Sequence, residues 1–407
     1  MYRRHHRSIT ALTGALLVAA CSTGATPDTE STTVEVTVEL ESPSATGGDD
    51  DTRRLASARG RVDLRSSGNR WIEGDGRLTT ADPIIVELPD DRIARWIVPD
   101  GTGWLAVLDD GSVVHVEAGR SDTTPLDQPG TFDANGGPPV ISGEGPVELD
   151  RVRRRFSDPL PDTRVVTDGR LAVALTGPTG RYPHGVLGDA IEASSFEIHN
   201  TETGSVTTIR LDSSDVFEAV SPMLADVDED GELDVVVTSA NATVGARLNV
   251  FDLGGQLIAQ SDAIGTGNRW RNLMAVAPVG PDGEVEVVDV QTPHIGGIVQ
   301  FFRFDGNGRL ERVATARSYS THSIGSRNLD LGIVTDADGD GQLDVIVPTQ
   351  DLRALAVLTR DDSVGSGATE TFRFDLGDRL TTNVAAASDG GSVRYAVGTA
   401  GGLIFLW

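Results

Sequence analysis

Residues 226–234 read Asp-Val-Asp-Glu-Asp-Gly-Glu-Leu-Asp, and the next three residues are valines. Residues 336–344 read Asp-Ala-Asp-Gly-Asp-Gly-Gln-Leu-Asp, and Val-Ile-Val follows them. Both stretches fit the pattern D-x-D-x-D-G-x-L-D, and in both the pattern leads into a run of β-branched apolar residues. Such runs favour strands. The sequence therefore predicts two turns of the same kind, each leading into a buried strand.

The carboxylates of these two loops stand at the spacing that a hard cation needs. Ca²⁺ takes roughly six to eight oxygen ligands, and an EF-hand loop supplies them from positions one, three and five and from a backbone carbonyl at seven, with a glycine at six. Gly231 and Gly341 occupy position six. We therefore predict about two calcium sites, whose ligands are Asp226, Asp228, Asp230, the Glu232 carbonyl and Asp234 in the first loop, and Asp336, Asp338, Asp340, the Gln342 carbonyl and Asp344 in the second.

Ordinary hairpin turns are the alternative interpretation, because Asp-Gly is a common turn pair. The loops also lack the glutamate that an EF-hand carries at position twelve, where Val237 and Val347 stand instead. A plain turn does not account for four carboxylates at alternating positions in both loops, since like charges repel one another when no cation lies between them. Calcium binding is therefore the preferred prediction.

Weaker copies of the same unit recur along the chain. Residues 280–286, Gly-Pro-Asp-Gly-Glu-Val-Glu, keep the Asp-Gly turn and lead into Val-Val-Asp-Val. More distant copies keep only the strand after the turn, for example at 171–175 and 393–397. Short apolar strands that recur at a period of about 50 residues, separated by Gly and Asp turns, indicate a radial all-β architecture.

These repeats resemble the FG-GAP or VCBS type, which occurs in integrin-like β-propellers and in many bacterial surface proteins. The resemblance implies an all-β fold, a β-propeller over residues 56–407, with calcium loops between strands one and two of some blades. Repeat anchors near positions 105, 140, 172, 234, 286, 344 and 395 predict seven blades. The last blade lacks an outer strand, and we expect either Arg59–Leu64 or Ile84–Leu88 to supply it and close the ring.

The first 55 residues are predicted to lie outside the propeller. Residues 1–20 carry arginines and then a short apolar run, which predicts a signal peptide. The run ends Val-Ala-Ala-Cys at Cys21, the only cysteine, and resembles a bacterial lipobox. That resemblance implies lipid attachment to Cys21, whereas a plain signal peptide with a chance cysteine is the alternative. Residues 21–55 are rich in Ser, Thr, Gly, Asp and Glu, which predicts a flexible acidic tether.

The charge of the chain limits its partners. With 407 residues and a formal net charge of −27, the protein repels nucleic-acid phosphates and favours cations. No later apolar run reaches the roughly 18 residues that a membrane-spanning helix needs. We therefore expect a monomer held at the cell envelope, outside the cytoplasm, by a lipid anchor alone.

A second set of candidate residues is predicted at the mouth of the propeller channel, on the face opposite the calcium loops. Arginines offer forked donors and aromatic rings offer a stacking face, which suits an anionic or sugar-like ligand. The alternative is that these side chains bridge neighbouring blades. Its three histidines are a further candidate, for a transition metal, if they converge. The set comprises Arg181, Tyr182, His184, Arg271, His294, His322 and Arg327.

Two functions from different classes are consistent with these predictions. The first is a calcium-binding, non-enzymatic interaction module at the cell envelope, with a protein, glycan or anionic ligand as partner. The second is an extracytoplasmic polysaccharide lyase or hydrolase whose Arg/His-lined site lies at the channel mouth. The chain contains neither H-E-x-x-H nor G-x-S-x-G, so the interaction module is preferred.

Overall fold

The computed structural model describes residues 68–117, 155–212, 214–388 and 391–407, together with the backbone at 33–38, 124–125 and 389. Within these ranges the only helical segments are two short 3-10 turns, Pro89–Asp91 and Gly185–Leu187. No helix in this part of the chain is long and apolar enough to cross a membrane. The predicted all-β class is confirmed.

Most strands belong to six four-stranded antiparallel meanders, which we number blades I to VI. Short linking strands join blades II and III, and blades V and VI, into larger sheets. Three strands precede them: β1 (Thr33–Val38), β2 (Trp71–Gly76) and β3 (Ile84–Glu87). Blade I contains β4 (Ala94–Asp100), β5 (Gly103–Leu108), β6 (Val113–Val116) and β7 (Thr124–Pro125). Blade II contains β8 (Val166–Thr167), β9 (Leu171–Thr179), β10 (Glu192–Asn200) and β11 (Val206–Leu211), and the short β12 (Asp215–Phe217) follows it.

The remaining blades repeat the same meander. Blade III contains β13 (Met223–Ala225), β14 (Asp234–Asn241), β15 (Arg247–Phe251) and β16 (Leu257–Gln260). Blade IV contains β17 (Arg271–Ala277), β18 (Glu286–Gln291), β19 (Ile298–Phe304) and β20 (Leu310–Arg317). Blade V contains β21 (Ile333–Asp336), β22 (Asp344–Pro348), β23 (Ala354–Arg360) and β24 (Ala368–Asp375). Blade VI contains β25 (Ala385–Asp389), β26 (Ser392–Gly398), β27 (Leu403–Leu406) and the N-terminal β3.

The hydrophobic core lies between neighbouring blades, which is why the second strand of a blade is apolar on both faces. Every residue of β22 is buried, and so are seven of the eight residues of β14. Between blades II and III, the ring of Phe196 meets Phe217 and Phe251 edge-to-face at 5.2 and 5.4 Å. Sheets that follow one another and pack face to face in this way define a β-propeller.

The predicted repeat anchors that lie in described residues occupy the same strand of each blade. Positions 105, 172, 234, 286, 344 and 395 all lie in the second strand of their blade. The anchor near residue 140 lies outside the described residues. The total of seven blades therefore stays a prediction.

An N-terminal strand completes the last blade. β3 pairs antiparallel with β27, with Ile84 opposite Leu406 and Glu87 opposite Leu403. Of the two candidates that the sequence suggested, Ile84–Leu88 is the right one, while Arg59–Leu64 lies outside the described residues. Closure by strands from both ends of the chain leaves no open seam between blades VI and I.

Two further N-terminal strands were not expected. β1 pairs in parallel with β11 at the outer edge of blade II, from Thr33 opposite Val206 to Val38 opposite Leu211. This strand lies inside the segment predicted as a flexible tether, so residues 21–55 include ordered backbone and that prediction is corrected at 33–38. β2 lies between blades V and VI and pairs in parallel with β21 and β26.

Candidate functional site

The two acidic loops share one hydrogen-bond framework, in which each aspartate accepts from a backbone N–H of the same loop. In the first loop Gly231 donates to Asp226 Oδ2 (3.1 Å), Asp230 to Asp228 Oδ1 (3.3 Å), Glu232 to Asp230 Oδ1 (2.8 Å) and Val227 to Asp234 Oδ2 (2.9 Å). In the second loop Gly341 donates to Asp336 Oδ2 (2.9 Å), Asp340 to Asp338 Oδ1 (3.1 Å), Gln342 to Asp340 Oδ1 (2.8 Å) and Ala337 to Asp344 Oδ2 (3.1 Å). The same turn is therefore built twice.

The backbone of each loop gathers the carboxylates. Gly231 and Gly341 have φ angles of 93° and 92°, a left-handed conformation that glycine adopts without strain. In each loop, carboxylate oxygens of three residues lie within 4.8 Å of one another: Asp226, Asp228 and Asp234 in the first loop, and Asp336, Asp338 and Asp340 in the second. Three of the predicted ligand residues of each loop are thus brought together on the turn between strands one and two of their blade.

The electrostatics of the loops favour a positive charge between the carboxylates. Burial, with the neighbouring carboxylate of Asp228, raises the pKa of Asp234 to about 7. Burial likewise raises the pKa of Asp344 to about 7, although the Thr359 hydroxyl donates a hydrogen bond to it. In the first loop Asp226 Oδ1 is buried and has no hydrogen-bond partner. Each loop holds more negative charge than its hydrogen bonds neutralise.

Oxygen atoms outside the motif also reach the loops. Asp75 of β2 lies opposite Asp336, and a Cβ built on Gly339 would lie 2.5 Å from Asp75 Oδ1, so glycine is needed at that position of the second loop. Thr359 donates to Asp344 Oδ1 at 2.5 Å. In the first loop, Asp252 lines the same depression as Asp234. Sequence reasoning missed these three residues because they come from other strands.

In blade IV, the weaker copy of the loop has arginines beside its acidic residue. Glu286 starts β18 as Asp234 starts β14 and Asp344 starts β22, and its side chain is fully buried. Arg303 Nη2 lies 2.7 Å from Glu286 Oε1, and Arg360 Nε of blade V lies 2.8 Å from Glu286 Oε2. Two guanidinium groups therefore neutralise the carboxylate of this loop.

On the opposite face, the arginines predicted to contact a ligand are engaged in structural contacts. Arg271 is buried and its Nη1 lies 2.7 Å from Asp289 Oδ2 within blade IV. Arg181 donates to the backbone carbonyls of Asp212 (2.8 Å) and Asp215. Both guanidinium groups thus hold parts of the fold together, as the structural alternative predicts.

Arg327 connects two blades that are not neighbours. It belongs to the segment before blade V, and it contacts Asp162 before blade II (2.8 Å) and Asp189 within blade II (2.6 Å). Beside it the Gly325 N–H donates to the Val186 carbonyl at 2.9 Å. Because blades III and IV lie between blades II and V along the chain, these contacts reach across the channel mouth.

A second group of ion pairs, centred on Asp330, is connected to Arg327. Asp330, before blade V, accepts from Arg164 of the segment before blade II at 2.9 Å and also pairs with Arg70, which precedes β2. Arg164 donates in addition to the Arg327 carbonyl at 2.7 Å. The burial of Asp330 alone would raise its pKa, but the two guanidinium groups hold that pKa below its usual value. Segments from three parts of the chain therefore meet over the channel mouth.

The predicted histidines form one cluster with an acidic residue that sequence reasoning missed. His184 Nδ1 contacts Glu218, which is fully buried, and the Trp270 indole N–H donates to the Glu218 carbonyl at 2.9 Å. The His322 ring lies 4.8 Å from Trp270 and 5.6 Å from His294. Tyr182 meets His184 edge-to-face at 5.9 Å. We call these six residues the histidine cluster: Tyr182, His184, Glu218, Trp270, His294 and His322.

Burial dominates the charge states in the histidine cluster. It raises the pKa of Glu218 to about 7 and lowers that of His322 to about 4. Burial also raises the pKa of nearby Glu192 to about 10, with Glu218 as the nearest contributing charge. Within the described residues, the only groups of three or more metal-ligating side chains are those of the acidic loops. The three histidines are therefore close together but not arranged as ligands of one metal ion.

Comparisons with known proteins identify no family for the chain. No protein-family model and no curated protein matches the chain. Among solved structures, BBS1N in a complex with ARL6DN is 11% identical with a TM-score of 0.42, and the alignment covers 81% of this chain and 96% of that one. The WD40 β-propeller domain of Doa1 is 9% identical with a TM-score of 0.30, over 81% of this chain and 97% of that one. Because both TM-scores are below 0.5, the strand order described above is what defines the β-propeller.

Proposed function

We propose that this chain is a calcium-stiffened β-propeller of the FG-GAP/VCBS type that is anchored by lipid outside the cytoplasm and acts as an interaction module at the cell envelope. The observation that carries the proposal is the shared framework of the two acidic loops. The same four backbone N–H donors fix one oxygen of each aspartate in both loops. Ordinary solvated turns have no need of that repeated arrangement.

The donor set fits calcium better than a softer metal. All side-chain donors of the loops are carboxylate oxygens, which hard cations prefer. Asp226 Oδ1, buried and without a hydrogen-bond partner, supports the fit of the first loop. The residues that would hold the ion are the ten predicted from the sequence, and a bound ion would supply the positive charge that these loops otherwise lack.

Calorimetric titration of the calcium-free protein tests this part of the proposal. We expect two sites for Ca²⁺, and Asp230→Ala and Asp340→Ala should each remove one of them, because each variant loses the position-five ligand of a different loop. Asp305→Ala, in a turn of blade IV outside both loops, is the control and should keep both. Absence of any heat of calcium binding in the parent protein would contradict the proposal.

Attachment at the envelope rests on Cys21, which lies outside the described residues. We expect mass spectrometry of the mature protein to find a diacylglyceryl group on this sulfur, because the preceding Val-Ala-Ala matches the lipobox pattern. Cys21→Ser should release the protein into the soluble extracytoplasmic fraction. A wild-type protein without lipid would contradict the anchor while leaving the calcium sites unaffected.

The role as an interaction module follows from what a propeller on a tether can do. Its blades form a rigid scaffold whose loops remain available on both faces. A protein or a glycan of the envelope is the expected partner. Capture of surface partners by the soluble Cys21→Ser protein, with and without calcium, tests this role, and we expect capture to weaken when calcium is removed.

A further inference from the structure

The channel mouth has a charge distribution opposite to the one that an anion needs. Arg327 is paired with Asp162 and Asp189, and Arg271 is paired with Asp289. The carboxylates behind the histidine cluster are less well matched. Glu218 has only the His184 imidazole as partner, and Glu192 has no salt-bridge partner among the described residues. The side chains left without a matching charge are therefore carboxyl groups rather than guanidinium groups.

Four polar atoms of the histidine cluster are buried without a hydrogen-bond partner. They are Tyr182 Oη, Glu218 Oε2, His294 Nδ1 and His322 Nδ1. The side chains of Tyr182, Glu218 and His322 are at most 3% exposed. A buried polar group without a partner costs on the order of 1–3 kcal/mol, so four of them in one cluster point to a ligand that satisfies them.

The hydrogen bonds already present determine what the cluster offers. His322 donates its Nε2–H to the Ser326 carbonyl at 2.7 Å, so its Nδ1 is an acceptor in the neutral ring. Glu218 uses Oε1 for His184, which leaves Oε2 as a second acceptor. These two atoms therefore require N–H or O–H donors from a ligand.

The aromatic groups add a preference for positive charge. Tyr182 meets His184, which contacts the Glu218 carboxylate, and His322 lies against both Trp270 and His294. Aromatic faces attract a desolvated cation. A metal ion is disfavoured, because no three metal-ligating groups of this cluster lie within 4.8 Å of one another. We propose that the histidine cluster binds an organic ammonium group, with Glu218 as its counter-ion and His322 Nδ1 and Tyr182 Oη as its hydrogen-bond partners.

The members of the cluster that reach solvent are His184 and His294. Both are partly exposed, whereas Trp270 and His322 are nearly fully buried. Ile295 follows His294 in the chain and is 69% exposed, so an apolar side chain comes directly after an exposed member of the cluster. An alkylammonium ligand can therefore place its charged end inside and its carbon chain against Ile295.

Calorimetric titration with four probes of similar size tests the proposal on the full chain. We expect n-butylammonium to bind at one site, tetramethylammonium to bind more weakly because it has no N–H donor, and neutral 1-butanol and anionic butyrate not to bind. Binding of butyrate or of butanol with an affinity equal to that of butylammonium would overturn the proposal. So would the lack of saturable butylammonium binding.

Three variants assign the binding to the cluster. Glu218→Gln keeps the shape but removes the charge, and should weaken butylammonium binding by at least about tenfold. Tyr182→Phe should weaken it about threefold without lowering the melting temperature, because the hydroxyl has no partner in the protein. Glu197→Gln is the matched control, since Glu197 also pairs with a histidine, His199, at 2.8 Å, but outside the cluster. If Glu218→Gln fails to fold, Tyr182→Phe decides, and unchanged binding in that variant would overturn the proposal.

Competition then identifies the carrier of the ammonium group. Displacement of butylammonium by an Nα-acetyl-lysine amide indicates a protein-borne amine, whereas failure of displacement indicates a free amine. Calcium sites and amine binding are measured separately, so failure of one does not imply failure of the other.

Discussion

The corresponding loops of blades III, IV and V each hold a buried acidic residue at the same position but surround it with different groups. Asp234, Glu286 and Asp344 each begin the second strand of their blade, and each is at most 4% exposed. In blade IV the guanidinium groups of Arg303 and Arg360 neutralise the carboxylate. In blades III and V further carboxylates surround it instead. The acidic position is thus common to the three blades, while the group that compensates it differs.

The residue opposite this position on the third strand distinguishes the three loops. Extending the strand pairing of each blade places Asp252 opposite Asp234, Arg303 opposite Glu286 and Thr359 opposite Asp344. An arginine there supplies its own positive charge, whereas an aspartate or a threonine supplies only oxygen. A single cross-strand residue therefore indicates which loops can accept an external cation and which are already neutralised.

Removal of calcium should have the largest effect. With calcium about 100-fold above the dissociation constant of each loop, two sites stabilise the native state by about 5 kcal/mol. We expect chelator to lower the free energy of unfolding by that amount, measured by denaturant titration. The double variant Asp230→Ala/Asp340→Ala is the control and should be insensitive to chelator. Equal stability of the parent protein with and without chelator would show that the loops of blades III and V depend on calcium no more than the loop of blade IV does.

Loss of Arg360, which neutralises Glu286 in the blade IV loop, should lower the free energy of unfolding somewhat less than calcium removal does. Arg360→Met leaves the buried Glu286 with Arg303 alone, and we expect a loss of about 3 kcal/mol in the free energy of unfolding. This loss should be the same with and without calcium. Arg309→Met removes an exposed pair with Asp262 and should cost less than about 1 kcal/mol. A calcium-dependent effect of Arg360→Met would contradict the distinction between the loops.

The acidic loops should also give the metal-free protein an unusual dependence on pH. The pKa values of Asp234 and Asp344 are raised from 3.8 to about 7 in the folded state, so that state binds more protons than the unfolded chain between these values. Stability should therefore fall as pH rises from about 4 to 7, by on the order of 2 kcal/mol. Unfolding at pH 5 and pH 8 in chelator measures this, and Asp234→Asn/Asp344→Asn should remove most of the slope. A slope of the opposite sign would contradict the raised pKa values.

Replacing Asp252, the residue opposite Asp234 on the third strand of blade III, should produce the smallest change in stability. Asp252→Arg places a guanidinium where blade IV has Arg303, so it should abolish calcium binding in the first loop and raise the stability in chelator by about 1 kcal/mol. Calorimetry and denaturant titration check the two outcomes. Asp252→Asn is the control and should keep the calcium site. Persistent calcium binding in Asp252→Arg would mean that residue 252 does not compete with the ion.

The sequence predicted the parts of the structure that depend on short-range patterns. The D-x-D-x-D-G-x-L-D turns and the strands after them are local, so the second strands and the acidic loops were located correctly. The partners that compensate charge are not local: Arg360 lies 74 residues from Glu286, and Arg327 lies 165 residues from Asp162. No pattern in one sequence indicates such pairs, which is why the sequence left two interpretations of these arginines open, contact with a ligand and bridging between blades.

Glu218 and Glu192 were missed for a related reason. Glu218 is a single acidic residue in an apolar stretch and Glu192 stands in a mixed one, and acidic residues usually lie at the surface. Only the packing of blades II to V around the histidine cluster makes them buried. The tether prediction was wrong at 33–38 because pairing with β11, 173 residues away, gives this otherwise polar segment its strand partner.

The pairing of β1 with β11 determines how far the propeller can move from a membrane. With lipid on Cys21, as proposed, only residues 22–32 separate the anchor from β1, and eleven extended residues span at most about 40 Å. Without this pairing, the connection up to residue 67 contains 46 residues and reaches about 160 Å. In the proposed lipid-anchored protein, one strand thus shortens the reach of the tether about fourfold.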